Sequence, residues 1–218
     1  MERSIKASEK TSAREIKRLE ELSRYEKEAY LKGFRYVAGI DEAGRGPLAG
    51  PVVAACVMLP EGCFIEGLKD SKKLSASKRE KLYDIIMDKA VSVGTGIVDE
   101  KYIDSMNILN ATKLAMKKAV EQVKPKPDLL LIDAIRLPDV DILQVPITKG
   151  DSLSISIAAA SIIAKVTRDR LIEEADSLYP AYGFKKHKGY GTAEHIKAIR
   201  KYGICPIHRI SFTKNFVE

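Results

Sequence analysis

Cysteine and histidine are scarce in this 218-residue chain, at three of each. Cys56, Cys63 and Cys205 form an odd, scattered set with no Cys-x-x-Cys pair, so neither a disulfide framework nor a cysteine zinc site is indicated. That scarcity fits a reducing compartment and predicts a cytoplasmic protein. With only His187, His195 and His208 available, histidine-based zinc chemistry has little support. No apolar run reaches the ~18 residues of a membrane span, and no membrane association is expected. The N-terminus is charged from Glu2 and Arg3 onward, without an apolar h-region, which predicts no secretion signal. A Gly-x-Ser-x-Gly elbow is missing, which excludes a serine hydrolase built on Ser152 or Ser161. Internal repeats and low-complexity segments are absent too.

What is present is an ordinary globular mixture, 45% hydrophobic and 31% charged, able to support a core. The length suits one large domain, or one domain with an appendage. The formal net charge is +7 and the sequence pI near 9.2. Such a surplus points to a polyanionic partner, most simply nucleic acid. Plain solubility is the bland alternative.

Residues 1 to about 33 are rich in Lys, Arg and Glu. Ala13, Ile16, Leu19 and Leu22 recur at helical spacing, predicting one or two amphipathic helices that stop at Gly33. From Tyr36 the pattern changes. YVAGID (36–41), PVVAACVML (51–59) and VSVGTGIV (91–98) read as strands. Ser77 to Glu80 matches a capping box for a helix running to about Ala90. Residues 100–123 read as one helix, ended by Pro125 and Pro127. DLLLID (128–133) reads as a strand buried on both faces, and ILQVPI (142–147) as a shorter one. Residues 152–178 read as a long helix whose small-residue middle lets it lie close to the sheet, and 193–201 as another. Clustered strands followed by alternating strands and helices imply a mixed sheet covered by helices, an α/β domain. Sites in such sheets gather at the carboxyl ends of strands.

Carboxylates stand at those ends. Asp41 and Glu42 close the first strand, Asp133 the fourth, and Asp151 follows the fifth. If the first and fourth strands are neighbours, three acids meet at one sheet edge, with Asp151 able to join from the next loop. Crowded carboxylates raise one another's pKa. An arginine, water or a metal ion could offset them. Oxygen ligands suit Mg²⁺ or Mn²⁺, and a pair of such ions can hydrolyse a phosphodiester without histidine or cysteine. A lone Asp in such a place is commonly a turn former or helix cap, and for Asp151 the cap reading is a strong rival. Asp169 is a rival fourth ligand. It lies eighteen residues beyond Asp151, so a continuous helix would separate them by ~27 Å; Asp151 is favoured, and Asp169 is expected to pair with a basic neighbour.

Six segments carry a resemblance in order and with natural spacing: GIDEAGRGPLAGPVVAA from Gly39, DSKKLS (70–75), LLLIDA (129–134), ITKGDSLSISIAAASIIAKVTRD (147–169), HKGYGT (187–192) and HRISF (208–212). Over about residues 36–212 the chain resembles bacterial ribonuclease HII, the type-2 ribonuclease H. The resemblance implies a ribonuclease H-like fold, a mixed five-stranded sheet flanked by helices with an N-terminal helical extension. It implies that Asp41, Glu42, Asp133 and Asp151 bind two Mn²⁺ or Mg²⁺ ions. It implies cleavage of RNA in RNA–DNA hybrids and nicking of DNA 5′ to embedded ribonucleotides, leaving 5′-phosphate and 3′-hydroxyl ends. Glycines let a backbone approach a ligand closely, and a ribose 2′-hydroxyl is what tells RNA from DNA. In the family a Gly-Arg-Gly and a tyrosine recognise the ribonucleotide junction; Gly44, Arg45, Gly46 and Tyr190 match them. Ser71, Lys72 and Lys73 resemble its phosphate contacts, as does Lys185 to Lys188 by charge. Residues 1–35 would be a helical extension, read from its basic balance as an aid to substrate binding or, equally, as a solvated helix packed on the body by its apolar stripe; 36–218 would be the catalytic domain, and the resemblance implies a monomer. The alternatives are specificity for RNA runs, like ribonuclease HIII, and a non-catalytic hybrid-binding protein.

Overall fold

Residues 13–217 are described by the computed structural model. The first twelve residues of the expected extension therefore lie outside the described residues. Five strands form one sheet in the order β3-β2-β1-β4-β5. They are β1 (Val37–Ala43), β2 (Val52–Met58), β3 (Ser92–Val98), β4 (Leu129–Asp133) and β5 (Leu143–Ile147). The three first strands make an antiparallel meander, while β4 and β5 add in parallel to β1. β2 is buried along its whole length, as an unbroken apolar run requires when helices cover both faces.

Alternate β2 side chains serve two cores, following the period of two in a strand. Ala55 and Val57 pack with Leu82 and Ile86 of α3 (Ala76–Lys89) and with Ile162 and Ile163 of α6 (Ile155–Leu178). Val52, Ala54, Cys56 and Met58 pack with Ala111, Ala115 and Met116 of α5 (Ile108–Gln122). The small residues of α6 bring it onto β1. A Cβ on Gly39 would fall 2.2 Å from the carbonyl carbon of Ser156, so only glycine allows this approach.

Helical residues 13–22 (α1) and Arg24–Leu31 (α2) dock on the body through Leu19, Leu22 and Ala29. Ile16, expected on the same apolar stripe, is 45% exposed. Gly33, at φ +93, breaks the chain direction before β1.

β1 runs past its expected end at Asp41 to Ala43, and three predicted helix limits shift by more than one residue. The helix over 100–123 is two, α4 (Glu100–Met106) and α5, divided at Asn107 with φ 71. Asn107 caps α5 by accepting from the Asn110 N–H, and asparagine tolerates a positive φ where most side chains do not. α3 begins at Ala76 because Ser75, extended at φ −70 and ψ 158, is the N-cap; Ser77 to Glu80 lies inside the helix, with Glu80 paired to Arg170. α6 begins at Ile155, since Gly150–Ser152 forms a 3₁₀ turn first. In the C-terminal part, α7 (Phe184–His187) and α8 (Ala193–Tyr202) build a satellite core around Tyr182, Phe184 and Ala198, while Phe212 of α9 (Ile210–Thr213) packs against the core beneath α5. No helix among the described residues is long and apolar enough to cross a membrane.

Candidate active site

β1 and β4 are neighbours, with Ile40 opposite Ile132, so Asp41 and Asp133 follow side by side at the carboxyl end of the sheet. Glu42 is next along β1. Asp151 enters from the 3₁₀ turn after β5, tied to β4 because the Gly150 N–H donates to Asp133 Oδ1 at 2.8 Å. Asp41 and Asp151 are both buried. Burial pushes the Asp41 carboxyl well above its usual range, and the charges of Glu42, Asp133 and Asp151 push it further. Glu42 and Asp151 are also raised, each chiefly by burial; Arg45 opposes the rise at Glu42, and Lys72 opposes it at Asp151. The four acids share one electrostatic neighbourhood.

Each acid nonetheless has a partner of its own. Asp41 Oδ1 accepts the Glu42 N–H at 2.7 Å. Glu42 Oε1 meets Arg45 Nη1 at 3.4 Å, and Asp151 meets Lys72 Nζ at 3.4 Å. Held this way, no three His, Cys, Asp or Glu side chains among the described residues surround a common point as metal ligands. The cations nearest the acids are therefore Arg45 and Lys72. One oxygen is left over: Glu42 Oε2 is buried without a hydrogen-bond partner. Asp169 takes no part in this group. It sits within the unbroken α6, 2.7 Å from Lys165 and 3.9 Å from Arg79.

Beside the acids lies the Gly44–Gly46 turn. Gly44 adopts φ +98, and a Cβ there would strike Arg168 Nε at 2.2 Å. Gly46 faces Tyr190, whose Cε1 would lie 4.0 Å from a Cβ on that glycine. The Tyr190 ring is partly exposed, with Lys165 Nζ 5.8 Å and Arg168 Cζ 5.9 Å from its centroid. Ser71 is buried in a 3₁₀ turn capped by Asp70, which aims Lys72 and Lys73 outward beside Asp151 and Ser152. Of the basic segment 185–188, Lys185 and Lys186 face solvent, whereas Lys188 is half-buried and bonded to Glu173.

Two arginines that sequence reasoning passed over hold these loops. Arg209 is fully buried and donates to the carbonyls of Gly44, Arg45 and Gly50. Arg168, equally buried, donates to those of Ala49, Pro51 and Lys188. The turn and the Tyr190 loop are further joined by the Leu48 N–H on the Gly189 carbonyl at 2.8 Å. Beneath Tyr190 the three histidines converge: His195 Nδ1 donates to the Tyr190 carbonyl at 2.9 Å, and His195 and His208 meet through their Nε2 atoms at 3.0 Å. Burial and neighbouring His195 push His208 down to about 4. The only sequence signal for this group was the place of His187, His208 and Arg209 inside otherwise unexplained C-terminal motifs.

The profile of the family described as Ribonuclease HII matches residues 38–215. Ribonuclease HII of Acetivibrio thermocellus is 67% identical over 204 residues, 94% of this chain and 80% of that one. Ribonuclease HII of Ruminiclostridium cellulolyticum is 63% identical over 205 residues, again 94% and 80%. Among solved structures, ribonuclease H2 from Pyrococcus horikoshii aligns with a TM-score of 0.67 at 32% identity, over 83% of this chain and 96% of that one.

Proposed function

The chain belongs to the ribonuclease HII family, and on that premise we propose that it nicks DNA on the 5′ side of embedded ribonucleotides as well as cutting RNA runs in hybrids, leaving 5′-phosphate and 3′-hydroxyl ends. As a member it is a metal-dependent endoribonuclease acting on the RNA of RNA–DNA hybrids. The observation that carries the finer reading is a juxtaposition. Four mutually repelling acids border a turn that has no Cβ at Gly44 and Gly46, and Tyr190 closes its far side.

The acids fit a pair of hard divalent ions. Their donor set is all oxygen, Glu42 Oε2 is buried and unpaired, and Asp41 is held above its usual range by its neighbours. Asp41, Glu42, Asp133 and Asp151 would hold two Mg²⁺ or Mn²⁺ ions. When bound, these would activate the attacking water and neutralise charge on the leaving oxygen. The remaining work falls to the protein. Arg209 commits the carbonyls of Gly44 and Arg45 inward, which leaves the other polar groups of the turn to meet a 2′-hydroxyl. Tyr190 offers a face for the sugar of the next nucleotide, fixed at its own carbonyl by His195. Ser71, Lys72 and Lys73 stand where backbone phosphates approach, and such contacts set register without reading bases. The excess of positive charge draws the duplex in. Scarce cysteine and the family likeness support a cytoplasmic monomer.

The test is cleavage of a labelled DNA duplex carrying one ribonucleotide, with Mg²⁺, Mn²⁺ or chelator. A nick 5′ to the ribonucleotide, lost with chelator, is the expected result. Cutting only within longer RNA stretches would withdraw the role given to the turn and Tyr190.

A further inference from the structure

One side chain of the N-terminal helices reaches towards the acids, and no motif marks it. Glu26 of α2 is 6% exposed. Its Oε1 accepts the hydroxyls of Ser154 and Ser156 and the Ser156 N–H, the last at 3.0 Å. Those serines open α6. Ser154 is its N-cap, with Oγ also accepting the Ile157 N–H at 3.2 Å. In a capping box the helix's own third residue supplies a Glu or Gln to complete the cap. In α6 that residue is Ile157, and the carboxylate comes instead from Glu26, 130 positions before Ser156. A negative charge at the start of a 24-residue helix also suits the helix dipole.

The bonds continue from Ser154 to the site. Its N–H, like that of Leu153, donates to the Gly150 carbonyl at 2.9 Å. The Gly150 N–H in turn donates to Asp133 Oδ1. Asp151 is the residue held inside this turn. The same first turn of α6 presses on β1 at Gly39, two positions before Asp41. Moving it would disturb the backbone around three of the four acids.

We propose that Glu26 is a positioning residue through which the N-terminal helices set the turn 149–153, and with it Asp151 and Asp133. The proposal rests on the reading of those acids as metal ligands. It gives the extension an action on the chemical step, distinct from any grip on the duplex.

Glu26→Ala and Glu26→Gln are compared with the wild type in the full chain, with Glu28→Ala, an exposed neighbour on α2, as control. Glu26→Ala is expected to lower kcat about tenfold while KM for a hybrid stays within about twofold. In metal-free protein, amide exchange of residues 150–154 is expected to quicken about tenfold. Glu26→Gln, which keeps an accepting oxygen, should recover most of both. A raised KM with intact kcat would overturn the proposal in favour of a substrate-binding arm, and so would unchanged exchange at 150–154. If Glu26→Ala does not fold, Ser156→Ala removes one hydroxyl only and must show the same pattern, smaller; no change in kcat or exchange would overturn the proposal. Exchange is read without metal or substrate. If Asp133→Asn cuts normally, the metal-ligand reading fails while the Glu26 measurement stands.

Discussion

Two regions of buried charge flank the Gly44–Gly46 turn, and they are satisfied in opposite ways. On one side are Asp41, Glu42, Asp133 and Asp151, where burial and mutual repulsion act together and one carboxylate oxygen of Glu42 has no partner. On the other are Arg168 and Arg209, fully buried without a carboxylate within salt-bridge reach among the described residues, yet with nitrogens donating to carbonyl oxygens all round. A buried charge is tolerated when hydrogen bonds replace water and is costly when they do not. Burial, joined at Arg209 by the neighbouring Arg168, pushes both guanidinium groups down, Arg209 to about 9, but their hydrogen bonds are filled and they serve as scaffold. The acids keep a buried oxygen unpaired and raised carboxyls, the features of a candidate functional site.

Asp133→Asn should give the largest contrast. The change keeps shape and removes a charge from the crowded side, so cleavage should fall at least about a thousandfold, roughly 4 kcal/mol of barrier. Duplex binding and unfolding stability should hold. Gel-shift and urea titrations alongside the cleavage assay check this. Loss of binding together with folding would make Asp133 a structural residue and erase the contrast.

Arg209→Met should do the reverse. It leaves the Gly44, Arg45 and Gly50 carbonyls without donors in a buried place. A loss of about 3 kcal/mol is expected, since each orphaned group costs ~1–3 kcal/mol and relaxation recovers part. For a chain of this size that lowers Tm by roughly 6–12 °C. A loss below about 1 kcal/mol would mean that the turn is held by other contacts.

The same contrast explains what could be read from the sequence. β1, β2 and β4 were legible because short apolar runs bounded by glycine or proline leave few alternatives. The meeting of Asp41 with Asp133 was legible because each stands at the end of an apolar run, whereas Asp151 follows a polar turn and had a cap reading as rival. Arg168 and Arg209 were not legible, since arginine in a sequence reads as surface and their partners are carbonyls, which every residue has. Nor was Glu26, whose partners lie about 130 positions away. The break at Asn107 was hidden because the apolar spacing of α4 and α5 continues across it. Ser77 looked like the cap of α3 because its sequence context matches, but the extended backbone that a cap needs belongs to Ser75.

A smaller effect, in acid, separates the two sides by sign. His208 lies among His187, His195 and Cys205, and burial first, then His195, push it down to about 4 from an ordinary value of 6.5. The unfolded chain binds a proton that the folded one refuses. This contribution is therefore complete above about pH 6.5 and is lost as pH falls towards about 4. Asp41 acts the other way. Its folded carboxyl is raised, chiefly by burial and then by Glu42 and Asp133, so the folded state holds a proton more firmly and gains stability as pH falls from that raised value towards 3.8. In chelator, urea unfolding from about pH 7.5 to about 5 should show the His208 loss offset in the wild type by the Asp41 gain. Asp41→Asn removes the compensating gain, so it should start more stable at neutral pH and fall more steeply. Parallel curves for the two proteins would mean that the acids do not strain the fold, and the buried charges on both sides of the turn would then be equally well satisfied.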